Sequence, residues 1–404
     1  TTLATRNQSS PSWSMWPRPP LLNLLGHLPS LGCSIPFGVP ILIAKSQLDF
    51  FGFEEETQEL FHTAQPEAPS PIRGHSYEID LNVYDRVIVA FSGGKDSVAC
   101  LLHLLERGVQ RSKIELHHHL VDGEDLDGHE GLMDWPCTND YCRKVAIAFG
   151  VRYSTSYRVG GFEAELDRIQ QPTAPVSIPY EVDGKRVLVG GAGKPNTRLK
   201  FPQLSANLAQ RWCSSVVKIS VMDAWLRNDP QFLTGKTLVV TGERAEESKA
   251  RSTYPVFEAH RADNRTGHRV VRFIDHWRPV HQWTEKQVWE VIERFALVVH
   301  PSYYLGWARA SCLPCVFGNK NQWSTIRFIA PEKFKRIALK EKGTGLTINR
   351  KFSIVEMADK GMPYPAASDP HWAKVGLSKI FDIPIFTENW VLPAGAYGDG
   401  CGPT

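Results

Sequence analysis

Three groups of residues have the types and spacing to do chemistry. The first is Phe91-Ser-Gly-Gly-Lys-Asp-Ser97, directly after the apolar run Val87-Ile88-Val89-Ala90. A buried strand that ends in Ser-Gly-Gly and opens a helix gathers backbone N–H groups around one point. Such a nest, at the positive end of a helix dipole, holds phosphate. Gly93 and Gly94 admit backbone angles and close approaches that a Cβ forbids. Lys95 and the hydroxyls of Ser92 and Ser97 add charge and hydrogen bonds, and Asp96 is a candidate for Mg²⁺ or for loop geometry. The second group is Gly242, Arg244, Glu247, Ser248 and Arg251, in the run Thr241–Arg251 (TGERAEESKAR). A guanidinium there neutralises charge on a leaving pyrophosphate. The third group is Cys312 and Cys315, a C-x-x-C beside Arg309, together with Cys213 after Arg211-Trp212. This spacing suits two ligands of zinc or of an iron–sulfur cluster, and it also suits free thiols.

The elements that must position these residues can be read from periodicity. Strands are expected at Arg86–Phe91, Ile114–Val121, Val151–Tyr157 and Thr237–Thr241. Helices are expected at Asp96–Arg107, Thr138–Phe149, around Leu204–Val217 and around Ser220–Leu226. Alternating strands and helices imply a parallel sheet covered on both faces, with ligand beyond the carboxyl ends of the strands. The Ser-Gly-Gly loop, Asp122-Gly123 and Gly242-Glu243-Arg244 all fall at such ends. Asp122 opens an acidic loop with Glu124, Asp125 and Asp127, and is a candidate for Mg²⁺ or ribose. His117, His118 and His119 alternate across the sheet, so packing is expected of them rather than a shared metal. Cys137 and Cys142 read as small buried thiols of a helix. Gly190–Lys200 (GGAGKPNTRLK) reads as a mobile loop over the site, whose Lys194, Arg198 and Lys200 touch substrate. Lys333, Lys335, Arg336, Lys340 and Lys342 form a basic helical run, which reads first as a solvated face and, if the substrate is nucleic acid, as a candidate backbone-binding surface.

Composition bounds the class. The chain has 404 residues, 42% of them hydrophobic and 22% charged, which suffices for one large or two ordinary globular domains. A net charge of +3 excludes a strong global field for nucleic acid or membrane. Eight scattered cysteines suit a reducing cytoplasm better than a disulfide framework. No uninterrupted apolar run is long enough to span a membrane. Leu21–Ala44 is apolar but broken by Pro29, Pro36 and Pro40, so the beginning reads as a tail outside the fold. Ser46–Thr63 could form a helix, and Glu67–Arg73 reads as a Pro-rich linker. The expected organisation is an irregular extension over 1–78, a nucleotide-binding domain over 79–275 and a helical C-terminal region over 276–404.

The loop at Ser92–Ser97 lacks the spacing of the Walker type and resembles the pyrophosphate loop of the N-type ATP pyrophosphatases. With Gly242-x-Arg244-x-x-Glu247-Ser248 and Trp277-Arg-Pro279-Val-His-Gln-Trp283, the chain resembles the phosphoadenosine-phosphosulfate (PAPS) reductase family of the adenine-nucleotide α-hydrolase superfamily, from about Asp85 to Gly318. Met133–Thr138, Arg211-Trp-Cys213 with Lys218-Ile219, and Ser311–Cys315 are similar to its phage and bacterial members. A more distant similarity is to the member that works in DNA phosphorothioation. The resemblance implies a Rossmann-like α/β sheet with ATP or PAPS at the loop, Mg²⁺, and sulfur chemistry. It also implies a [4Fe–4S] cluster on Cys213, Cys312 and Cys315, with zinc as the alternative. Reductases of this family carry a catalytic Cys in a C-terminal Glu-Cys-Gly-Leu/Ile-His segment. Here the tail is Gly398-Asp-Gly-Cys401-Gly-Pro-Thr404, without the flanking Glu or His.

The reading that follows is an ATP pyrophosphatase that adenylates a substrate for sulfur transfer. Lys95, Asp96 and Arg244 would be catalytic, and Arg198, Lys218 and Arg251 would touch substrate. Partners expected on this reading are DNA or tRNA, a cysteine desulfurase or another sulfur carrier, and a second copy of the chain. The alternatives are a reductase of PAPS or adenylylsulfate and a nucleotide-sensing subunit of a phage or defence complex.

Overall fold

The computed structural model describes residues 68–398 apart from 74–76, 125–127, 129, 181–183 and 206. The expected helix at Ser46–Thr63, the apolar tail, Asp125, Asp127 and Cys401 lie outside the described residues. The described residues belong to one compact unit.

Short β-branched runs build one eight-stranded sheet. Its strands are β1 (Arg86–Ala90), β2 (Ile114–Leu120), β3 (Arg152–Arg158), β4 (Val176–Pro179), β5 (Arg186–Val189), β6 (Lys236–Val240), β7 (Phe257–Ala259) and β8 (Phe273–Trp277). The order is β5-β4-β3-β2-β1-β6-β8-β7. Strands β3, β2, β1, β6 and β8 run parallel, while β4, β5 and β7 pair antiparallel at the two edges. The α/β, Rossmann-like expectation holds. Period-two alternation decides which side chain faces which layer. Val87 and Val89 of β1 pack with the helices α1 (Lys95–Glu106) and α2 (Thr138–Phe149). Ile88 between them packs on the other face with Trp225. Because β2 lies on one side of β1 and β6 on the other, the chain reverses its winding at β1. Ligands of open α/β sheets bind beyond the strand ends at such a reversal.

Three sequence readings need correction. The helix expected around Leu204–Val217 begins only at Trp212. Upstream, the Asn207 carbonyl accepts from the N–H groups of Gln210 and Arg211, and its side chain accepts from Ala209. This local turn uses the donors a helix would need. From Trp212 the chain runs through α4 (Trp212–Ser214), a π-helical turn at Ser215–Ile219 and α5 (Ser220–Asn228). The segment 190–200 is pinned: Gln171 and Asn196 form a β-bridge, and the Arg198 N–H donates to the Arg168 carbonyl at 2.8 Å. The boundary expected between 275 and 276 falls inside β8, which pairs with β6.

The C-terminal part closes over the strand ends. Helix α6 (Glu285–Arg294) packs on α1. After α7 (Pro301–Tyr304) come α8 (Lys320–Ile329), α9 (Pro331–Thr344), α10 (Ile354–Asp359) and α11 (Pro370–Leu377). Trp323, Phe334 and Ile354 of these helices share a core with Phe162 of α3 (Gly161–Leu166) and with Trp212. The basic run on α9 is largely spent inside the molecule. Lys333 donates to the Asp134 carbonyl at 2.9 Å, Arg336 pairs with Glu163 at 2.9 Å, and Lys340 pairs with Asp167 at 2.6 Å. These three cations clamp α9 to α3 and the loop after β2, while Lys335 and Lys342 of the same run are exposed. Among the described residues, no helix is long and apolar enough to cross a membrane.

Candidate nucleotide and thiol site

The loops after β1 and β6 meet at the reversal of the sheet. Gly93 has φ +76°, and a Cβ built there would lie 3.0 Å from Cys142 Sγ. Ser92 and Ser97 brace the loop: Ser92 Oγ accepts from the Gly94 N–H at 3.3 Å, and Ser97 Oγ donates to the Gly94 carbonyl at 2.8 Å. The Lys95 N–H donates to the Tyr303 hydroxyl at 2.8 Å. A Cβ on Gly242 would lie 2.8 Å from the Asp96 carbonyl carbon, so the two loops touch backbone to side chain-free backbone. Gly242→Ala is expected to push them apart and cost about 1–3 kcal/mol of stability; unfolding in urea, compared with wild type, measures it.

The two cations expected to face the phosphates lie behind the loop instead. Lys95 is 3% exposed, with Nζ 3.5 Å from Asp96 Oδ2, 3.5 Å from Glu285 Oε1 and 3.2 Å from the Ala308 carbonyl. Arg244 is also 3% exposed; its Nε donates to Asp96 Oδ1 at 2.6 Å and its guanidinium to Glu246 at 2.5 Å. Neither lines the pocket in front of the loop. Asp96 draws both cations inward. Burial alone would raise its pKa, but Lys95 and Arg244 outweigh that and hold it below the ordinary carboxylate value.

The pocket itself has a volume of about 400 Å³. Ser92, Gly94, Asp96 and Ser97 form its floor, with Gly242 at its side. Its cations are Arg211, Lys218, Arg251 and Arg309. Arg309 donates to Glu247 Oε1 at 2.6 Å, Arg251 pairs with Glu247 Oε2, and the Arg244 N–H donates to the same oxygen at 3.0 Å. Glu247 therefore orients two guanidinium groups. Arg211 Nε is buried without a partner. Ser248 does not line the pocket; its Oγ accepts from the Arg251 N–H at 3.3 Å and shapes the turn. Arg198 does not line it either: it pairs with Glu165 at 2.6 Å and covers the Trp212 ring at 4.9 Å. Arg211 and Arg309 are the functional candidates that sequence reasoning passed over. Their adjacency to Cys213 and to the C-x-x-C was the available signal.

Cys213, Cys312 and Cys315 line the same pocket as the loop, and none of the three is in a disulfide. Lys218, on the π-helical turn, sits among them, and Cys312 is the largest influence raising its pKa. Burial pushes the Cys312 thiol up while Lys218 pulls it down. Among the described residues no three His, Cys, Asp or Glu side chains converge as a metal site. The Lys218 ammonium stands among these sulfurs, where it offsets the negative charge of thiolates.

Asp122 lies elsewhere. Its carboxylate accepts from the N–H groups of Met133 and Asp134, and it lines a second cavity with Asp134. Burial, then Asp134, raises its pKa to about 6. A raised carboxyl pKa contributes stability that is complete below the unfolded value and is lost as pH rises through about 6. Relative to Asp122→Asn, wild type should therefore lose of order 1–3 kcal/mol between pH 4 and pH 7; paired urea titrations across that range check it. Of the histidine run, His117 stacks on Trp225 at 3.7 Å and bonds Ser154 and Ser156. His118 points to the other face and bonds the Phe91 carbonyl.

Fold and pocket together define an α/β, Rossmann-like protein with thiols beside the Ser92–Ser97 loop. Residues 194–317 match the family model of the phosphoadenosine phosphosulfate reductase domain, a member of the adenine-nucleotide α-hydrolase superfamily. That family is one of nucleotide-binding, sulfur-related enzymes. The matched stretch holds the Gly242–Arg251 segment and all three pocket cysteines, while the Ser92–Ser97 loop precedes it. The chain is also similar to an uncharacterized 37.8 kDa protein of Escherichia phage 186, at 27% identity over 62% of this chain and 73% of that protein.

Proposed function

We propose that the protein is an ATP pyrophosphatase that adenylates an acceptor for sulfur transfer. The observation that carries this reading is the shared pocket. The loop residues Ser92, Gly94, Asp96 and Ser97 and the thiols of Cys213, Cys312 and Cys315 line one cavity. ATP lies with its phosphates over the Ser92–Ser97 loop and the amino end of α1, where the helix dipole favours anions. An acceptor oxygen attacks the α-phosphorus, the bond from the α-phosphorus to the bridging oxygen breaks, and pyrophosphate leaves with the electron pair. The protein supplies placement and charge neutralisation. Arg309 and Arg251, held by Glu247, together with Arg211, meet the developing charge. Asp96, the loop carboxylate on the pocket floor, would be the residue to hold a magnesium ion, which would supply charge neutralisation on the phosphates.

A sulfur nucleophile then displaces AMP from the acceptor. Lys218 lowers the cost of a thiolate, the reactive form, on the cysteines around it, against the burial that still holds Cys213 and Cys312 above the ordinary thiol value. The direct test is pyrophosphate release from ATP by the purified protein, with Ser97→Ala and Lys218→Met as controls. Release that depends on Ser97 and on an acceptor supports the reading. Intact ATP binding with no release, with any acceptor or sulfur donor supplied, overturns it.

A further inference from the structure

Arg158, the last residue of β3, is 7% exposed, yet among the described residues it bonds no carboxylate. Its Nε donates to the Val216 carbonyl at 2.9 Å and one terminal nitrogen to the Ser220 hydroxyl at 2.9 Å. The other terminal nitrogen donates to the Ala174 carbonyl. Glu165, the carboxylate that acts on Arg158 electrostatically, is bonded instead to Arg168 at 3.1 Å and Arg198 at 2.6 Å. Burying a cation is costly unless its hydrogen bonds are met. Here they are met chiefly by Val216 and Ser220, in and just after the π-helical turn at Ser215–Ile219.

The backbone of that turn explains why. The Ser220 N–H, which an α-helix would direct to the Val216 carbonyl, reaches the Ser215 carbonyl five residues back. Val216 thereby loses its α-helical donor. Arg158 Nε takes the vacated oxygen, and Ser220 Oγ donates to it at 2.9 Å. The wider turn also redirects side chains. Residues five apart in an α-helix point about 140° away from each other at 3.6 residues per turn. A turn closed at five residues brings them to one face. Cys213 and Lys218 are such a pair, and both line the pocket. Cys312 and Cys213 are the two thiols with the largest influence on the Lys218 ammonium. Arg158 itself does not line that pocket. Turns of this kind are rare and occur frequently at functional sites.

We propose that Arg158 is a positioning residue: it holds the π-helical turn through the Val216 carbonyl, and the turn sets Lys218 beside Cys213 and Cys312. Its consequence for sulfur transfer rests on the function proposed above; its effect on the thiols does not. On this account the guanidinium replaces a backbone donor at a neutral acceptor. A carboxylate partner would draw it away from that oxygen. Ser220 is the second support of the same carbonyl.

The test is alkylation of the full chain by iodoacetamide, read at Cys213 by mass spectrometry without nucleotide. Lys218→Met should slow alkylation about tenfold, the effect of withdrawing a neighbouring opposite charge from a thiolate. Arg158→Met should slow it comparably, and should add nothing in the Lys218→Met background. Arg158→Lys, which keeps the charge but not the three-way fork, should recover only part of the rate. Ser220→Ala, a smaller change, should slow alkylation less, and again only while Lys218 is present. That dependence on Lys218 separates positioning from a merely structural role, which would slow or speed alkylation in either background. Slowing by the same factor with and without Lys218 overturns the proposal. So does an unchanged rate in folded Arg158→Met, or no effect of Lys218→Met on Cys213. Should Arg158→Met fail to fold, the Ser220→Ala pair decides: a rate unchanged by Ser220→Ala then overturns the proposal. A negative result here leaves the nucleotide reading standing, and absent pyrophosphate release leaves the alkylation result standing.

Discussion

Arg309→Ala is expected to lower the rate of pyrophosphate release from ATP by about 10²–10³-fold, the usual effect of removing one preorganised donor from developing charge. Arg309 lines the pocket that the phosphate loop floors. Its guanidinium is 27% exposed and is held at 2.6 Å by Glu247, so it is oriented before nucleotide arrives. Arg309→Lys should recover only part of the loss, because an ammonium keeps the charge without the planar fork. Glu247→Gln should weaken the effect of both Arg309 and Arg251, since it holds both. Steady-state rates at saturating ATP separate the outcomes: a fall in kcat supports a role in the reaction, and a change in KM alone confines Arg309 to binding. Unchanged kinetics in Arg309→Ala would remove it from the site.

Arg244→Met is expected to act mainly on stability, with a loss of about 3–5 kcal/mol, the usual cost of removing one partner from a buried ion pair. Arg244 is 3% exposed and bonds Asp96, Glu246 and the Trp283 carbonyl. Its removal leaves Asp96 short of a partner beneath the loop, with Lys95 and the weaker influence of Arg309 left to offset its burial. Urea unfolding followed by tryptophan fluorescence measures the loss. Wild-type stability with abolished turnover would instead place Arg244 in the reaction, as its position after β6 suggests from sequence alone.

The contrast between these two arginines shows how much of the site was legible. The strand–turn–helix form of the Ser92–Ser97 segment was legible because it is local: a strand, a glycine turn and a helix start adjoin in sequence, and Gly93 at φ +76° meets a need that only its own backbone sets. Gly242 was legible as a strand-end glycine, although its reason, contact with the Asp96 backbone, was not. The direction of the cations was not legible. Arg244 and Asp96 are 148 residues apart, and no periodicity reports which carboxylate a guanidinium will choose. The same holds for α9, where Arg336 and Lys340 of the basic run read as outward-facing until Glu163 and Asp167 are brought beneath them. It holds also for Arg198, which is taken up by Glu165.

By itself, the sequence determined the parallel α/β core and the place of the Ser92–Ser97 loop at a strand end, which follow from alternation of apolar residues, glycine placement and short-range spacing, all properties of contiguous chain. The link of the cysteine-bearing stretch to sulfur-related enzymes came from its resemblance to a known family. Only the tertiary structure decided that Lys95 and Arg244 brace the loop from behind while Arg211 and Arg309 face the pocket. It alone set Lys218 among the three thiols, and placed Asp122 in a separate cavity behind them. Those outcomes depend on which buried charges meet across the sheet, and the desolvation cost of leaving any of them unpaired is settled only when the distant segments pack.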